Sequence, residues 1–326
     1  PREEIPMHRW PLLILAVALV VASCTGSEGT DPPEVPTTTV ASSTVTSAPS
    51  FPVTIEAPNG PVTIDERPER IVSISPTSTE VLFAVGAGDQ VVAVDSLSNH
   101  PPEAPVTNLS AFTPSVESLA AFDPDLVVLS FDPNGEVIPG LDALGIPVIL
   151  HPTAADLSDA YAQWEQLGAA TGNLAGAVAV IAETETAITA AYDSVPVSSE
   201  TVSYYYEIDP TYYSSTSTTF IGEVLAGTGM VNIADPADQD GFGFPQLTPE
   251  FIVGEDPDLI LLADTKCCGQ SAGTVAERPG WNTMTAVREG QVIELNDDIA
   301  SRWSPRIAEL VEVVVSSLLE RSTANP

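Results

Sequence analysis

The chain has 326 residues, which is enough for two domains with cores of their own. It carries 45 acidic and only 10 basic residues, and its formal net charge of −35 argues against a nucleic-acid-binding role, which needs clustered lysines and arginines. Apolar residues make up 44% of the chain, a share that fits a globular protein and excludes a disordered one.

The N-terminal region predicts a targeting segment. An apolar run, LLILAVALVVA at residues 12–22, follows Arg9 and is short for a membrane span. It ends in VASC at residues 21–24, and this arrangement of small residues before a cysteine resembles a bacterial lipoprotein signal. We interpret residues 1–23 as a signal peptide and Cys24 as the lipidated residue. A plain secretory signal with an incidental cysteine is the alternative.

Residues 24–50 predict a flexible tether. From residue 25 to residue 50, 16 of 26 residues are Ser, Thr or Pro, and such a segment buries too little apolar area to fold. A lipid at one end and a folded body at the other describe a protein that is held at a membrane surface. Stable anchoring requires more than one acyl chain, as bacterial lipoproteins carry.

From Phe51 onward, strand and helix patterns alternate. FPVTIEAPNGPVTID has two alternating apolar segments around Asn59-Gly60 and predicts a hairpin. RIVSIS predicts a buried strand, followed by a short helix that Thr77 or Ser78 caps. Further strands are predicted in VVAVD, DLVVLS and PVILH, with helices after Thr113-Pro114 and in VIPGLDALG. Buried strands that alternate with short helices indicate a parallel α/β layer.

The second half of the chain repeats this organisation after a long helix. Residues 173–195 contain no proline and show a steady recurrence of apolar residues, so one long helix is predicted there. Strands follow in TVSYYYEID, DLILLAD and QVIELN, and the last helix is predicted at residues 304–320. The predicted fold class is α/β, with two Rossmann-like lobes that have mainly parallel sheets and are bridged by the long helix. We place the lobes at residues 51–172 and 196–326.

One short segment occurs twice. FDPDLVVLS at residues 122–130 returns as EDPDLILLAD at residues 255–264. Both copies follow a helix-like stretch that opens with Thr-Pro and carries a glutamate, Glu117 in the first copy and Glu250 in the second. The repeat indicates two similar lobes, with a chance similarity of two buried strands as the alternative.

Several motifs occur in order along the chain: RIVSISPTSTEVLFAVGAGDQVVAVD, SVESLAAFDPDLVVLS, FIGEVLAGTGMVNIAD, PQLTPEFIVGEDPDLILLAD and SPRIAELVEVV. Together they resemble the periplasmic-binding-protein family for cobalamin and iron complexes, the substrate-binding components of ABC importers. The resemblance runs from about Phe51 to the C-terminus. It implies the class III fold of that family, with the ligand in the cleft between the lobes.

The resemblance also implies partners and a location. The partners are an ABC permease dimer with its ATPase subunits, and the location is the extracellular face of the cytoplasmic membrane, or the periplasm. Glu117 and Glu250 match the positions at which one exposed glutamate on each lobe meets arginines of the permease. The alternative is that both only favour the dipole of a helix N-terminus. The high net charge discourages association and favours a monomer.

The resemblance points to aromatic ligand contacts. Phe112, Phe131 and Phe244 match places where the cobalamin binder offers tryptophans to the corrin. Tyr205 and Tyr213 can pack against a flat ligand and hydrogen-bond its substituents. Because side chains of a strand alternate between its two faces, at least one tyrosine of the YYY run is expected in the core.

Four further residues complete the predicted cleft. Arg302 and Trp303 match the last cleft loop of the family, and Ser78 lies at the start of the first helix. His100 lies in a loop that borders the cleft in relatives and is a candidate contact to a corrinoid or haem iron; the alternative is an ordinary loop residue. A bare-metal site is not predicted, since zinc or manganese capture needs several histidines and carboxylates together.

The cation content favours a corrinoid as the ligand. Lys266 and Arg302 are the only obvious cations of the predicted cleft, whereas anionic iron chelates are met by clusters of arginine or lysine. A ferric hydroxamate siderophore or haem is the alternative ligand. A tethered cell-surface protein without a transport role is a further alternative. No dinucleotide-binding GxGxxG or hydrolase motif is present, so no enzymatic activity and no catalytic cofactor are predicted.

The segment KCCGQ, residues 266–270, predicts an unusual feature of the cleft. Cys267 and Cys268 are the only cysteines besides Cys24, and the protein is expected in an oxidising compartment. We predict a disulfide between these neighbours that forms a flat apolar patch under the ligand, with Lys266 beside it. Two free thiols or sulfur ligation of a metal are the alternatives.

Overall fold

The computed structural model describes residues 50–197 and 201–324. The predicted signal peptide, Cys24 and the tether up to residue 49 lie outside these ranges. The described chain begins with the predicted hairpin, formed by antiparallel strands β1 (Val53–Ala57) and β2 (Gly60–Ile64). Gly60 has a φ of 105°, a conformation that favours glycine. The prediction from Asn59-Gly60 is therefore confirmed.

A five-stranded parallel sheet forms the centre of the first lobe. Its strands are β3 (Ile71–Ile74), β4 (Val91–Asp95), β5 (Val106–Leu109), β6 (Leu126–Leu129) and β7 (Val148–Leu150), in the order β5-β4-β3-β6-β7. Its helices are α1 (Pro76–Ala84), α2 (Val116–Ala120) and α3 (Val137–Asp142). Every residue of β3 and β6 is buried, as expected for strands with both faces covered.

The helix starts of the first lobe differ from the predicted ones. The side chain of Ser75, rather than Thr77 or Ser78, caps α1, because it accepts the backbone N–H of Ser78. Helix α2 is capped by Ser115 and begins after Thr113-Pro114 rather than at that pair. Both starts keep a hydroxyl side chain at the cap, but the sequence offers several hydroxyl residues in succession and the pattern does not select among them.

One long helix, α5 (Leu174–Asp193), connects the lobes, and the shorter helix α4 (Leu157–Ala170) precedes it and packs on β1 and α1 of the first lobe. By length and composition α5 is apolar enough to cross a membrane. It packs instead between α4 and the C-terminal helix α12 (Ile307–Ala324), with Ala177 and Ile188 among its buried side chains. The prediction of a single long helix between two α/β layers is confirmed.

A four-stranded parallel sheet forms the centre of the second lobe. Its strands are β8 (Ser203–Glu207), β9 (Val231–Asn232), β10 (Leu259–Leu262) and β11 (Val292–Glu294), in the order β11-β10-β8-β9. The helices of this lobe are α6 (Phe220–Ala226), α7 (Pro249–Glu255), α8 (Thr265–Cys268), α9 (Ala272–Ala276), α10 (Thr285–Arg288) and α11 (Asp297–Ala300). The fold class predicted from the sequence, two α/β lobes with parallel sheets, is confirmed.

The repeated segment has the same backbone geometry in both lobes. Asp123, before β6, has a φ of 50°, and Asp256, before β10, has a φ of 47°. This left-handed conformation is uncommon outside glycine, although aspartate tolerates it better than most residues. Asp256 is the C-cap of α7, whereas α2 ends at Ala120 and a short turn separates it from Asp123; in both copies the proline that follows the aspartate prevents a helix from continuing. The DPDL segment therefore makes the same helix-to-strand turn twice.

A buried group of charges joins the two lobes. The carboxylate of Glu80, on α1, accepts hydrogen bonds from the guanidinium groups of Arg302 and Arg306 at 2.6 Å each. Only 4% of Glu80 is exposed to solvent. The two arginines lie between α11 and α12, so this contact connects the first lobe with the C-terminal part of the chain.

Candidate ligand-binding cleft

A cavity of about 410 Å³ lies where the carboxyl ends of strands from both sheets meet. Loops at this edge of parallel sheets converge on a common point, which is the usual place of a ligand site in α/β proteins. The lining residues follow strand ends: Thr153 after β7, Ile208 after β8, Ala263 and Cys267 after β10, and Asp297 and Ala300 after β11. The cavity therefore draws most of its wall from the second lobe and one residue from the first.

Four aromatic side chains contribute to the wall of the cavity: Tyr206, Phe220, Phe244 and Trp303. Trp303 is held against the first lobe at two points. Its indole Nε1–H donates to the side chain of Gln163 at 2.8 Å, and its carbonyl accepts from the indole of Trp164 at 3.0 Å. Because Gln163 and Trp164 both lie on α4, the ring of Trp303 has a fixed place in the cavity before any ligand arrives.

Further aromatic side chains are exposed on loops at the same sheet edges. Phe112 follows β5 and is 70% exposed, and Phe131 follows β6 and is 53% exposed. Neither lines the cavity itself, so both stand outside it. Phe242 is 79% exposed and stacks edge-on against Phe244, with 6.0 Å between the ring centroids. Sequence reasoning selected Phe244 and missed Phe242, although both belong to the same GFGFP segment.

The two predicted tyrosines occupy different environments. Tyr205 is completely buried on the far face of the second sheet, where its ring packs edge-on against Trp281. Its neighbour Tyr206 points to the opposite face and lines the cavity, with its hydroxyl donating to the carbonyl of Ala300 at 2.8 Å. The prediction for Tyr205 as a ligand contact is therefore wrong by one strand position. Tyr213 is 40% exposed but is not part of the cavity wall.

The two predicted cations, Arg302 and Lys266, both form ion pairs with carboxylates of the protein. Arg302 is buried and donates to Glu80 and, at 2.9 Å, to Asp298, so it does not project into the cavity as predicted. Lys266 is exposed and forms an ion pair with Asp298. Within the described part of the chain, the cavity wall contains neither lysine nor arginine. The cavity is thus lined by aromatic, aliphatic and uncharged polar groups together with the carboxylate of Asp297.

Ser78 and His100 do not line the cavity. Ser78 is buried in the first turn of α1, where its backbone N–H donates to Ser75, and this correction follows from the position of the helix cap. His100 is partly exposed in the loop after β4. Both residues nevertheless follow the carboxyl ends of strands of the first sheet, the edge that faces the cleft.

The Cys267–Cys268 segment is a short helix, α8, with a firmly held start. The carboxylate of Asp297 accepts the backbone N–H groups of Thr265 and Lys266 at 2.9 Å and of Cys267 at 2.7 Å. The sulfur atoms of Cys267 and Cys268 are joined in a disulfide, and both residues are exposed. Of the two cysteines, Cys267 is the one that lines the cavity.

A buried acidic pair lies beneath α8. Asp264 is fully buried, and its carboxylate oxygens have no hydrogen-bond partner within the described residues. Glu207, at the end of the neighbouring strand β8, binds the guanidinium of Arg278 through two bonds of 2.6 Å. Burial, and then the charge of Glu207, raise the pKa of Asp264 from 3.8 to about 7. This part of the second lobe therefore holds a proton that titrates near neutrality.

The two glutamates of the repeat are both exposed. Glu117 lies in the first turn of α2 and Glu250 in the first turn of α7. Each helix precedes the left-handed aspartate and the buried strand of its DPDL copy. The two carboxylates thus occupy corresponding places on the surfaces of the two lobes, and both also lie where a helix N-terminus favours negative charge.

Comparison with known proteins places the fold in a family. The family model described as periplasmic binding protein matches residues 71–299. The chain is 32% identical over 277 residues to an ABC transporter substrate-binding lipoprotein, YvrC, of Bacillus subtilis (strain 168), which covers 82% of this chain and 86% of the relative. It is 29% identical over 311 residues to a cobalamin-binding protein of Halobacterium salinarum (strain ATCC 29341 / DSM 671 / R1), covering 93% of this chain and 83% of that protein.

A solved structure has the same fold. The periplasmic heme-binding protein RhuT from Roseiflexus sp. RS-1, in apo form, superposes with a TM-score of 0.68 at 23% sequence identity. The match covers 78% of this chain and 98% of RhuT. The resemblance inferred from the motifs is confirmed: the chain belongs to the periplasmic binding protein family.

Proposed function

We propose that the chain is the substrate-binding lipoprotein of an ABC importer and that it captures a cobalamin-like corrinoid in the cleft between its lobes. The observation that carries this proposal is the aromatic cavity at the edge where the two sheets meet, whose wall contains no lysine or arginine among the residues that the structure describes. A flat macrocycle presents large apolar faces, and aromatic side chains stack against such faces with well-defined geometry. Of the relatives, the cobalamin-binding protein supports the choice of ligand, and the ABC transporter substrate-binding lipoprotein supports the role in transport.

The charges of the cleft support a neutral or cationic ligand. Asp297 is the only acidic residue of the cavity wall in the described part of the chain, and Arg302 and Lys266 are already paired with carboxylates. A ligand with several carboxylates, such as haem or a citrate complex of iron, would enter without cations to receive it. A ferric hydroxamate carries no such charge, so it is the second candidate that this observation allows.

The proposed contacts come from both lobes. Inside the cavity, the ligand would contact Phe244, Trp303 and the Cys267–Cys268 disulfide. The part of the ligand that extends out of the cavity would contact Phe112 and Phe131. Tyr213 and His100 remain candidate contacts at the rim. Since Trp303 is already fixed by α4, this contact costs little ordering on binding.

A ligand screen tests the assignment. Cyanocobalamin, dicyanocobinamide, haemin and ferrioxamine are added separately to the protein, and the melting temperature is measured. A corrinoid present at 100 times its Kd should stabilise the folded protein by about 2.7 kcal/mol. Phe244→Ala should weaken corrinoid binding at least about tenfold through loss of buried apolar contact. A response to ferrioxamine alone would favour the second candidate, and no response to either corrinoid contradicts the proposal.

A matched control variant distinguishes the loss of a ligand contact from a general loss of protein stability. Leu144→Ala also removes an exposed apolar side chain, but Leu144 lies before β7, at the opposite edge of the first sheet. This variant should bind the corrinoid as the unmodified protein does. Weakening by both substitutions would indicate a general loss of folding and not a ligand contact at Phe244.

We propose further that Glu117 and Glu250 dock the loaded protein onto the permease. Two exposed carboxylates at corresponding places on the two lobes suit a partner with two similar halves. Charges of this kind set the orientation and the rate of association. The proposed anchor is the lipid on Cys24, which would keep the protein at the extracellular face of the membrane, close to the permease.

A further inference from the structure

The disulfide of the cleft is open to chemical attack. Cys267 and Cys268 are both exposed, and Cys267 also forms part of the cavity wall. A reagent in solution can therefore reach the sulfur atoms. Because Cys267 lines the cavity, a chemical change at these atoms also alters the surface that a ligand contacts. Exposed disulfides are among those that exchange most readily with thiols.

The backbone around the disulfide is held unequally. On its N-terminal side, the carboxylate of Asp297 accepts three backbone N–H groups at 2.7–2.9 Å, the last of which belongs to Cys267. On its C-terminal side, the N–H groups of Cys268 and Gln270 both reach the carbonyl of Asp264 at 3.3 Å and that of Gly269 reaches the carbonyl of Thr265 at 3.1 Å, while the side chain of Gln270 accepts from Arg278 at 2.7 Å. The backbone hydrogen bonds of 3.1–3.3 Å are weaker than those of 2.7–2.9 Å. The backbone of residues 268–270 is therefore held by the longer hydrogen bonds, and the disulfide adds a covalent restraint that ties Cys268 to the firmly held Cys267.

We propose that the Cys267–Cys268 disulfide is a thiol-exchange site and that its reduction by a dithiol loosens residues 268–270 and lowers the affinity of the cleft for its ligand. The part that concerns affinity rests on the proposed function. The part that concerns the loop rests only on the contacts around α8.

The exchange is a balanced two-electron reaction. A thiolate of the dithiol attacks one cysteine sulfur, the Cys267–Cys268 bond breaks, and a mixed disulfide forms while the other cysteine leaves as a thiolate. The second thiol of the reductant then displaces the first cysteine. The reductant becomes a disulfide, and both cysteines end as protonated thiols, having received two electrons and two protons.

Reduction of the disulfide changes the part of the cavity surface that the ligand would contact. In the oxidised protein the two side chains and the peptide between them form one small ring, so the surface has one shape. In the reduced protein each thiol rotates independently, and ordering them opposes binding. We expect the affinity to fall about three- to tenfold, since the other contacts of the cavity remain.

The test compares oxidised protein with protein reduced by dithiothreitol and desalted without oxygen. Alkylation and mass spectrometry report the thiols, and amide hydrogen exchange is followed at residues 265–270. Cyanocobalamin is then titrated by tryptophan fluorescence. A variant with Cys267→Ser and Cys268→Ser should behave as the reduced protein and should not respond to dithiothreitol.

We expect faster exchange at residues 268–270 after reduction, unchanged exchange at residues 265–267, and weaker binding of cyanocobalamin. Thiols that react before reduction, a disulfide that yields only when the protein unfolds, or identical exchange and affinity in both states would overturn the inference. If neither state binds cyanocobalamin but the exchange rates still differ, the corrinoid assignment fails and the thiol-exchange site stands.

Discussion

Asp125 and Asp258 perform the same task in the two lobes: each carboxylate holds the backbone that leads into the neighbouring strand. Asp125 accepts the N–H groups of Glu69 and Arg70 at 2.7 and 2.9 Å, directly before β3. Asp258 accepts the N–H of Ser203, the first residue of β8, at 2.9 Å. The second aspartate of each DPDL segment thus ties β6 to β3 in one sheet and β10 to β8 in the other.

Replacing either aspartate should destabilise its lobe. Asp125→Ala and Asp258→Ala leave backbone N–H groups without their acceptor, and each should lower the free energy of unfolding by about 1–3 kcal/mol. The loss at Asp258 should be the larger, because its carboxylate also pairs with Arg321 at 2.6 Å. Denaturant unfolding measures both values. Asp142→Ala, which removes an exposed carboxylate on α3, is the control and should change stability by less than about 0.5 kcal/mol.

The proton on Asp264 should make stability depend on pH. The pKa of this carboxyl is raised in the folded protein to about 7, so between pH 4 and 7 the folded state binds more protons than the unfolded state. The contribution of Asp264 to stability is therefore present below pH 4 and is lost as the pH rises to about 7. Asp264→Asn should flatten this part of the profile and should raise the melting temperature relative to the unmodified protein at pH 8.

The control for this titration is Asp142→Asn. Its carboxylate is exposed, so the variant should retain the pH profile of the unmodified protein. An unchanged profile in Asp264→Asn would mean that another group carries the buried proton.

The contact between Glu80 and the two arginines should be costly to break. Glu80→Gln leaves the buried guanidinium of Arg302 and the partly buried one of Arg306 without their shared carboxylate, and the expected loss is about 3–5 kcal/mol of unfolding free energy. Burial raises the pKa of Glu80, but hydrogen bonds from Arg306, Ser304 and Arg302 outweigh it and hold the pKa below its ordinary value. The unmodified protein should therefore lose this stability as the pH falls below the ordinary carboxyl range.

Denaturant titrations at neutral and acidic pH test this contact. The gap between Glu80→Gln and the unmodified protein should narrow on acidification. Glu165→Gln, an exposed glutamate on α4, is the control and should match the unmodified protein at both pH values. A gap that stays constant with pH would show that the carboxylate charge is not what stabilises the contact.

Reversing the charge of the two repeat glutamates should abolish transport and leave ligand binding intact. In vesicles that contain the importer, Glu117→Lys combined with Glu250→Lys should reduce uptake by at least about tenfold, since each reversal replaces attraction by repulsion at the interface. Glu165→Lys with Glu309→Lys makes the same change in charge on α4 and α12 and should transport normally. Loss of ligand affinity in the first pair would contradict a docking role.

Lipidation of Cys24 should decide where the protein is found. Cys24→Ser should move the protein from the membrane fraction to the soluble fraction, since the acyl chains supply the attachment. Mass spectrometry of the N-terminal peptide of the unmodified protein should find the lipid on Cys24. Membrane association that survives Cys24→Ser would contradict a lipid anchor.

Sequence patterns predicted the architecture well because each strand carries its signal locally. The hairpin at Asn59-Gly60, the buried strands and α5 all follow from residues that are adjacent in the chain. The site depends on relations that are not local. Tyr205 and Tyr206 have the same side chain one position apart, and only the packing of the sheet decides which of them faces the cavity.

Arg302 illustrates the same limit. Its position in the last cleft loop was predicted, but its partner Glu80 lies 222 residues earlier, and no local pattern links the two. Phe242 was missed for a different reason. It is flanked by glycines in a loop, where no periodicity distinguishes an exposed aromatic from a buried one.

The charges around Glu80 also bear on how far the two sheets can separate. The guanidinium groups of Arg302 and Arg306 both bind the carboxylate of Glu80, which lies on α1 of the first lobe. Widening the gap at that point would leave the buried carboxylate of Glu80 without its two arginines, while Arg302 would keep only its contact with Asp298. Contacts within the protein itself therefore limit the distance between the two lobes at Glu80, whether or not a ligand is bound.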